Sequence, residues 1–164
     1  MNYNDIETTE QDKNVLNTFK KFLGLEHFGW KFGAIMALIS MIMFVILSIV
    51  FIAAGAASTG SNSFTDPPGQ MFIAMGITYL ISGLIVLLPV TIINFAMIKK
   101  VEYYQSTVDR DVSIARTRCT SVGMLIFCVF FNTLAAIFFI INFAKTKNNA
   151  ASFDRIAAAQ RGTY

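Results

Sequence analysis

Three long apolar stretches without a single charged residue constrain the fold of this chain more than any other feature. They run from Phe32 to Ala54, from Met71 to Ile98 and from Ser121 to Ala144. A helix needs roughly 20 consecutive apolar residues to cross the hydrocarbon core of a bilayer, and each stretch is long enough. We therefore predict an all-α integral membrane protein with three transmembrane helices, at about residues 32–54, 71–98 and 121–144.

The composition leaves no room for a second, water-soluble domain. Of the 164 residues, 55% are hydrophobic and only 14% are charged, which lies outside the usual soluble range. The net charge of +3 is too small to indicate a nucleic-acid partner. We predict a disordered acidic leader over residues 1–12, a helical membrane domain over residues 13–145 and a polar tail over residues 146–164.

An amphipathic pattern precedes the first apolar stretch. Val15, Phe19, Phe22 and Leu23 fall on one helical face, and lysines lie largely on the other. This arrangement is typical of a short helix that lies in the membrane interface. The sequence therefore predicts an N-terminal interfacial helix in addition to the three transmembrane helices.

The polar stretch between the second and third apolar stretches is also patterned. Apolar or small residues recur there at steps of three and four: Val101, Tyr104, Val108, Val112, Ala115 and Cys119. The pattern predicts one face of a helix or of a short helical hairpin, and residues 108–111 are the predicted position of a break. The acidic residues and arginines of this stretch, including Arg116 and Arg118, are predicted to form ordinary solvated charge pairs.

Positive charges indicate the orientation. With three crossings, the N-terminal side carries nine lysines and arginines and the tail carries four. Because positive residues concentrate on the cytoplasmic side, we predict a multi-pass protein of the bacterial inner membrane with a cytoplasmic N-terminus; an organellar membrane is the alternative. A re-entrant third stretch, bent at Asn132 and Thr133, would keep the tail inside as well.

Small and polar residues within the stretches are candidates for helix packing or for an interface. A small-xxx-small pair, Gly29 and Gly33, lies near the start of the first stretch, and small residues recur in the second. Such residues let helices approach closely, and a buried asparagine can bond across helices. We single out Gly29, Gly33, Gly76, Ser82, Gly83 and Asn132. Packing within the chain and docking of a partner both remain open for them.

The residue types needed for catalysis are poorly represented. The three stretches contain no Asp, Glu, Lys, Arg or His, whereas pumps and ion-coupled transporters usually place one there. His27 is the only histidine and has no second ligand at metal spacing. Cys119 and Cys128 form no metal or disulfide pattern. We predict that the protein is not an enzyme and has no catalytic residue, cofactor or metal site.

Three features of the sequence occur in a fixed order. A basic-aromatic lead-in reads Phe19-Lys20-Lys21-Phe22-Leu23 and Trp30-Lys31-Phe32-Gly33. The second stretch contains Pro89 and ends in two lysines, and a polar helical segment precedes the third stretch. In this order of elements, over about residues 15 to 145, the chain resembles a family of small uncharacterised bacterial integral-membrane proteins classed as a domain of unknown function. The resemblance implies a membrane location and supplies no known catalytic residues.

These observations favour a non-enzymatic function. We predict a small accessory or scaffold subunit whose partners are membrane lipid and either larger membrane protein subunits or further copies of itself. Small-residue seams and many Phe and Met side chains suit adaptable packing. The alternative is a homo-oligomeric channel or transporter for a small solute, lined by groups such as Thr78, Tyr79, Ser82 and Asn132.

Overall fold

A computed structural model describes residues 8–58 and 69–162. Within these ranges the chain is helical and forms six helices. The helices are α1 (Glu10–Ser58), α2 (Gly69–Thr107), α3 (Val112–Cys119), α4 (Val122–Phe131), α5 (Thr133–Asn148) and α6 (Ala150–Gly162). The chain forms two compact units. We call Ala34–Ile93 the apolar unit, and Met1–Gly33 together with Asn94–Tyr164 the polar unit.

The apolar unit is an antiparallel pair of helices formed by parts of α1 and α2. Its small residues set the register: Gly55 lies against the Gly69 carbonyl, Gly76 against the Ser48 carbonyl, and Gly83 against the Phe44 ring. Three aromatic contacts lie between the same helices, at 5.5 to 6.3 Å between ring centroids, and they join Phe44 to Tyr79, Phe51 to Phe72 and Phe51 to Tyr79. The glycines allow the backbones to approach, and the rings fill the remaining space.

Most of the surface of the apolar unit is hydrophobic. Large aliphatic side chains such as Ile49, Ile85 and Val86 are more than half exposed. α1 and α2 are each long and apolar enough to cross a membrane, and a third crossing is added only if α3 and α4, bent by 67° at their junction, count as one span. The all-α prediction and the presence of helices able to span a membrane are thus confirmed.

The polar unit is a small helical bundle. α5 runs antiparallel to the first part of α1, because Ala135 adjoins Gly29 while Asn142 Nδ2 lies 3.5 Å from the Phe19 carbonyl oxygen. α6 packs on the same part of α1 through an edge-to-face contact between Phe19 and Phe153, at 5.2 Å between centroids. The core of this unit includes Phe19, Leu23, Trp30, Val101, Val108, Val112, Phe139 and Phe153, all 1% exposed or less.

The N-terminal region differs from the prediction. Residues 13–23 do not form a separate interfacial helix, because α1 runs without a break from Glu10 to Ser58. The apolar face that suggested contact with lipid is instead buried in protein, with Phe19 1% and Leu23 0% exposed. Residues 10–12 of the predicted acidic leader belong to the same helix, and residues 1–7 lie outside the described part of the chain.

The segment between the second and third apolar stretches matches its prediction. α2 ends at Thr107, residues 108–110 form a turn, and α3 begins at Val112. The Asp111 side chain accepts a hydrogen bond from the Ser113 backbone N–H (2.9 Å) and so caps α3. The predicted apolar face is buried: Val101, Val108, Val112, Ala115 and Cys119 are all 0% exposed.

The third apolar stretch is not one helix. α4 has 10 residues and α5 has 16, and Asn132 between them is extended, with φ −159° and ψ 94°. Its side chain accepts a hydrogen bond from the Ala135 backbone N–H (3.0 Å) and caps α5. The prediction of a continuous helix over residues 121–144 is therefore wrong, because Asn132 ends one helix and starts the next. The polar tail, in turn, contains α6, with Phe153 and Ile156 buried.

Candidate functional site

The most unusual feature of the polar unit is a buried ion pair. Glu26 on α1 and Arg118 on α3 lie 92 positions apart, and their side chains are 0% and 4% exposed. Arg118 donates Nη1–H to Glu26 Oε2 (2.9 Å) and Nη2–H to Glu26 Oε1. The indole N–H of Trp30 donates to the same Oε1 (3.1 Å). The carboxylate therefore accepts three hydrogen bonds.

Aromatic rings enclose the guanidinium of Arg118. Its central carbon lies 5.0 Å from the Tyr104 ring centroid and 5.3 Å from that of Phe139. Cation–π contacts at this distance stabilise a cation that has lost its water. The ion pair thus links residues of α1, α2, α3 and α5. The expectation that Arg118 forms a solvated surface pair is wrong, because its partner is Glu26 and lies in another helix.

This arrangement neutralises its charges. A carboxylate that is held by a bidentate guanidinium and an indole N–H is a poor general base, because the lone pairs that would take a proton are already bonded. Within residues 8–58 and 69–162, no three His, Cys, Asp or Glu side chains are grouped as a metal site requires. The pair instead connects α1 to α3.

A second polar cluster surrounds Asn132, where α4 meets α5. Asn132 Nδ2–H donates to the Gly29 carbonyl (2.9 Å) and to Asn94 Oδ1 (2.8 Å), and the side chain is almost fully buried. Gly29 and Gly33 make room for this junction. A Cβ on Gly29 would lie 2.9 Å from the Ala135 Cα, and one on Gly33 would overlap the Asn132 amide. Three sequence candidates, Gly29, Gly33 and Asn132, therefore lie together.

The other three candidates belong to the apolar unit and separate into two groups. Gly76 and Gly83 are buried and face α1, where a Cβ on Gly76 would lie 2.8 Å from the Ser48 carbonyl oxygen. Ser82 instead points outward, on an exposed face that it shares with Ala74 and Thr78. A shallow groove of about 500 Å³ runs along this face, lined by Phe44, Met71, Ala74, Met75, Thr78, Tyr79 and Ser82.

A third polar cluster joins the two ends of the polar unit. Arg155 of α6 donates from Nη2 to Asp12 Oδ1 (2.6 Å) and from Nε to Oδ2 (3.0 Å). The Thr9 backbone N–H and hydroxyl both donate to Asp12 Oδ2, at 3.1 and 2.8 Å. The Arg155 guanidinium holds the pKa of the Asp12 carboxyl far below its usual value. Nothing in the sequence pattern indicated this pair, whose partners lie 143 positions apart.

Comparisons with known proteins add no relationship. No family model matches the sequence, and neither the curated proteins nor the solved structures contain a match. The resemblance to the bacterial membrane family therefore stays a prediction.

Proposed function

We propose that this protein is a non-catalytic accessory or scaffold subunit that docks onto a larger membrane protein through the outward face of its apolar unit. The observation that carries the proposal is the groove along Ala74, Thr78 and Ser82. These residues recur every four positions on one exposed helix face. A face of small residues lets a neighbouring helix approach closely, which is the main source of helix association in lipid.

The chemistry of the apolar unit supports docking. By sequence, residues 34–58 and 69–93 contain no Asp, Glu, Lys, Arg or His. Two of their buried hydroxyls are bonded within their own helices: Ser48 Oγ–H donates to the Phe44 carbonyl (2.8 Å), and Thr91 Oγ1–H donates to the Leu87 carbonyl (2.7 Å). Neither segment thus supplies a charged path for a substrate.

The proposal places the polar unit on the cytoplasmic side of a bacterial membrane. All 13 lysines and arginines of the chain lie in the sequence of the polar unit, and none lies between Ala34 and Ile93. With two crossings, residues 59–68 lie on the opposite side and contain no lysine or arginine, and such an excess of positive charge on one side marks the cytoplasmic side under the positive-inside rule.

Extraction in mild detergent tests this function. The full chain with a C-terminal tag is purified from native membranes, and its partners are identified by sizing and mass spectrometry. We expect stoichiometric co-purification of a larger membrane subunit. A Thr78→Leu/Ser82→Leu variant should lose that subunit because leucine fills the groove, whereas Val86→Leu, on a 59% exposed position outside the groove, should retain it. Purification of a lone homo-oligomer would overturn the proposal.

A homo-oligomeric channel is the second candidate, because Thr78, Tyr79 and Ser82 bring three hydroxyl groups to one groove. Copies arranged around an axis could line a pore with these groups. Asn132 is not available for such a lining, since its amide is buried and bonded to Gly29 and Asn94. The channel hypothesis requires that the protein conducts in reconstituted bilayers and that Ser82→Leu abolishes this conductance. Because Asn132 does not line the groove, Asn132→Leu should not abolish it.

A further inference from the structure

We infer that residues 121–144 form a re-entrant hairpin that inserts into one leaflet of the membrane from the side holding both termini, so that the chain crosses the membrane twice. The partner of this hairpin is the acyl-chain region of that leaflet. The inference concerns topology and does not depend on the proposed docking function.

The lengths of the two helices are the first argument. At 1.5 Å per residue, α4 with its 10 residues is about 15 Å long and α5 with its 16 residues is about 24 Å long. The hydrocarbon core is about 30 Å thick, so neither helix can cross it. The extended residue Asn132 ends α4, and the chain cannot continue in the same helix.

The contacts of the tail are the second argument. From Asn132, α5 returns along α1 toward its N-terminal end, and α6 then binds that end through Arg155 and Asp12. The Gln160 side chain also accepts a hydrogen bond from the Val112 backbone N–H (2.8 Å) and donates one to the Val108 carbonyl (2.9 Å). The tail therefore touches both the start of α1 and the turn after α2. A bilayer cannot lie between groups in direct contact.

The exposed surface of α4 is the third argument. Val122, Ile126, Val129 and Phe130 occupy one helical face at positions i, i+4, i+7 and i+8, and each is at least half exposed. Phe130 is 80% exposed. On α5 the exposed residues change from Ile137 and Ile140 near Asn132 to Lys145 and Lys147 at the far end. An apolar surface that becomes basic in this way matches acyl chains followed by headgroups.

The backbone at the bend is compatible with membrane depth. Non-helical backbone is tolerated there only where protein satisfies its polar groups. The Asn132 N–H donates to the Cys128 carbonyl (2.8 Å), its carbonyl accepts from the Ala136 N–H (2.9 Å), and its side chain is bonded at both ends. The bend can therefore enter the leaflet without an unpaired backbone group at Asn132.

Tag accessibility in sealed vesicles of defined orientation gives the first test. Epitopes at the N- and C-termini of the full chain should be cleaved by added protease from the same side, while a Ser61→Cys variant should react with a membrane-impermeant maleimide only from the opposite side. Two crossings require this result. Termini that are cleaved from opposite sides would overturn the inference.

Spin labels in lipid vesicles give the second test, which addresses the leaflet itself. A label on Phe130→Cys should collide often with oxygen and rarely with a water-soluble nickel chelate, and it should lie deeper than a label on Val122→Cys. The matched control is Arg110→Cys, on an exposed turn residue, which should show the opposite preference. The native Cys119 and Cys128 are 0% exposed, so the unsubstituted protein gives the background. Strong collision of the Phe130 label with the chelate, or shielding from both reagents, would overturn lipid contact.

Discussion

The guanidinium of Arg118 donates two hydrogen bonds to the carboxylate of Glu26, although the two residues lie 92 positions apart and both side chains are buried. The net value of such a pair is small, because burial removes both ions from water. Loss of one partner is costly, because the other charge is then buried without compensation. We therefore expect the pair to contribute less to net stability than to holding α1 and α3 in one relative arrangement.

Replacement of Arg118 tests this asymmetry. We expect Arg118→Met to lower the free energy of unfolding by about 3–5 kcal/mol, because Glu26 would remain buried as an unpaired carboxylate. The double variant Glu26→Leu/Arg118→Met should recover most of that loss. Thermal or denaturant unfolding in detergent measures both. Arg110→Ala, on an exposed turn, is the control and should change stability by less than about 0.5 kcal/mol. A double variant no more stable than the single one would contradict the reasoning.

Alanine at selected glycines measures how closely the helices approach. A Cβ on Gly29 would lie 2.9 Å from the Ala135 backbone, and one on Gly76 would lie 2.6 Å from Ile52 Cγ1. We expect Gly29→Ala and Gly76→Ala each to cost about 1–3 kcal/mol in unfolding experiments, because the neighbouring helix must move. Gly24→Ala is the matched control: its Cβ would meet only Gln105 Nε2, at 3.7 Å. It should be neutral, or more stable by up to about 1 kcal/mol because alanine favours helix. Equal effects at all three positions would exclude close approach as the cause.

Local patterns predicted much of this fold. The uncharged stretches that begin at Phe32 and Met71 lie within α1 and α2, and the periodicity from Val101 to Cys119 marks the buried face of α2 and α3. These predictions hold because hydrophobic periodicity is a property of neighbouring residues and survives in the folded chain. The break at residues 108–111 was predicted from the segment Val108-Asp109-Arg110-Asp111 in the same stretch.

Pairings across the chain could not be predicted. Nothing near Arg118 indicates Glu26, because both residues stand in segments that look amphipathic and solvated. The same is true of Asp12 and Arg155, each of which lies in a region predicted to be a polar terminus. At Asn132 a local signal did exist, since asparagine is a preferred helix cap, but it competed with 24 uncharged residues from Ser121 to Ala144 that resemble one span. The tertiary bonds to Gly29 and Asn94 stabilise the bend.

Two substitutions separate the roles of the Asn132 side chain. Asn132→Leu removes the cap on Ala135 and both bonds donated by Nδ2, so we expect a loss of about 2 kcal/mol or more in the free energy of unfolding. Asn132→Asp keeps the cap but directs a carboxylate at the Gly29 carbonyl. It should therefore be at least as unstable as the leucine variant. The exposed residue Asn148 supplies the control, and Asn148→Leu should be nearly neutral. An aspartate variant with wild-type stability would show that only the cap matters.

The pair of Asp12 and Arg155 makes the attachment of α6 depend on pH. The pKa of Asp12 is lowered in the folded protein, mainly by its hydrogen bonds from Arg155, so folding favours the charged carboxylate. This contribution is complete above about pH 3.9, the ordinary pKa of aspartate, and decreases as the pH falls from there through the lowered pKa. The melting temperature of Asp12→Asn should therefore lie below that of the wild type at pH 7, and the difference should begin to shrink only when the pH falls below about 3.9. Asp154→Asn is the control. Its partner Arg116 forms a surface pair with a 68% exposed carboxylate, so the difference from wild type should be small at every pH. A gap between Asp12→Asn and the wild type that does not shrink as the pH is lowered below about 3.9 would show that the ion pair does not hold α6.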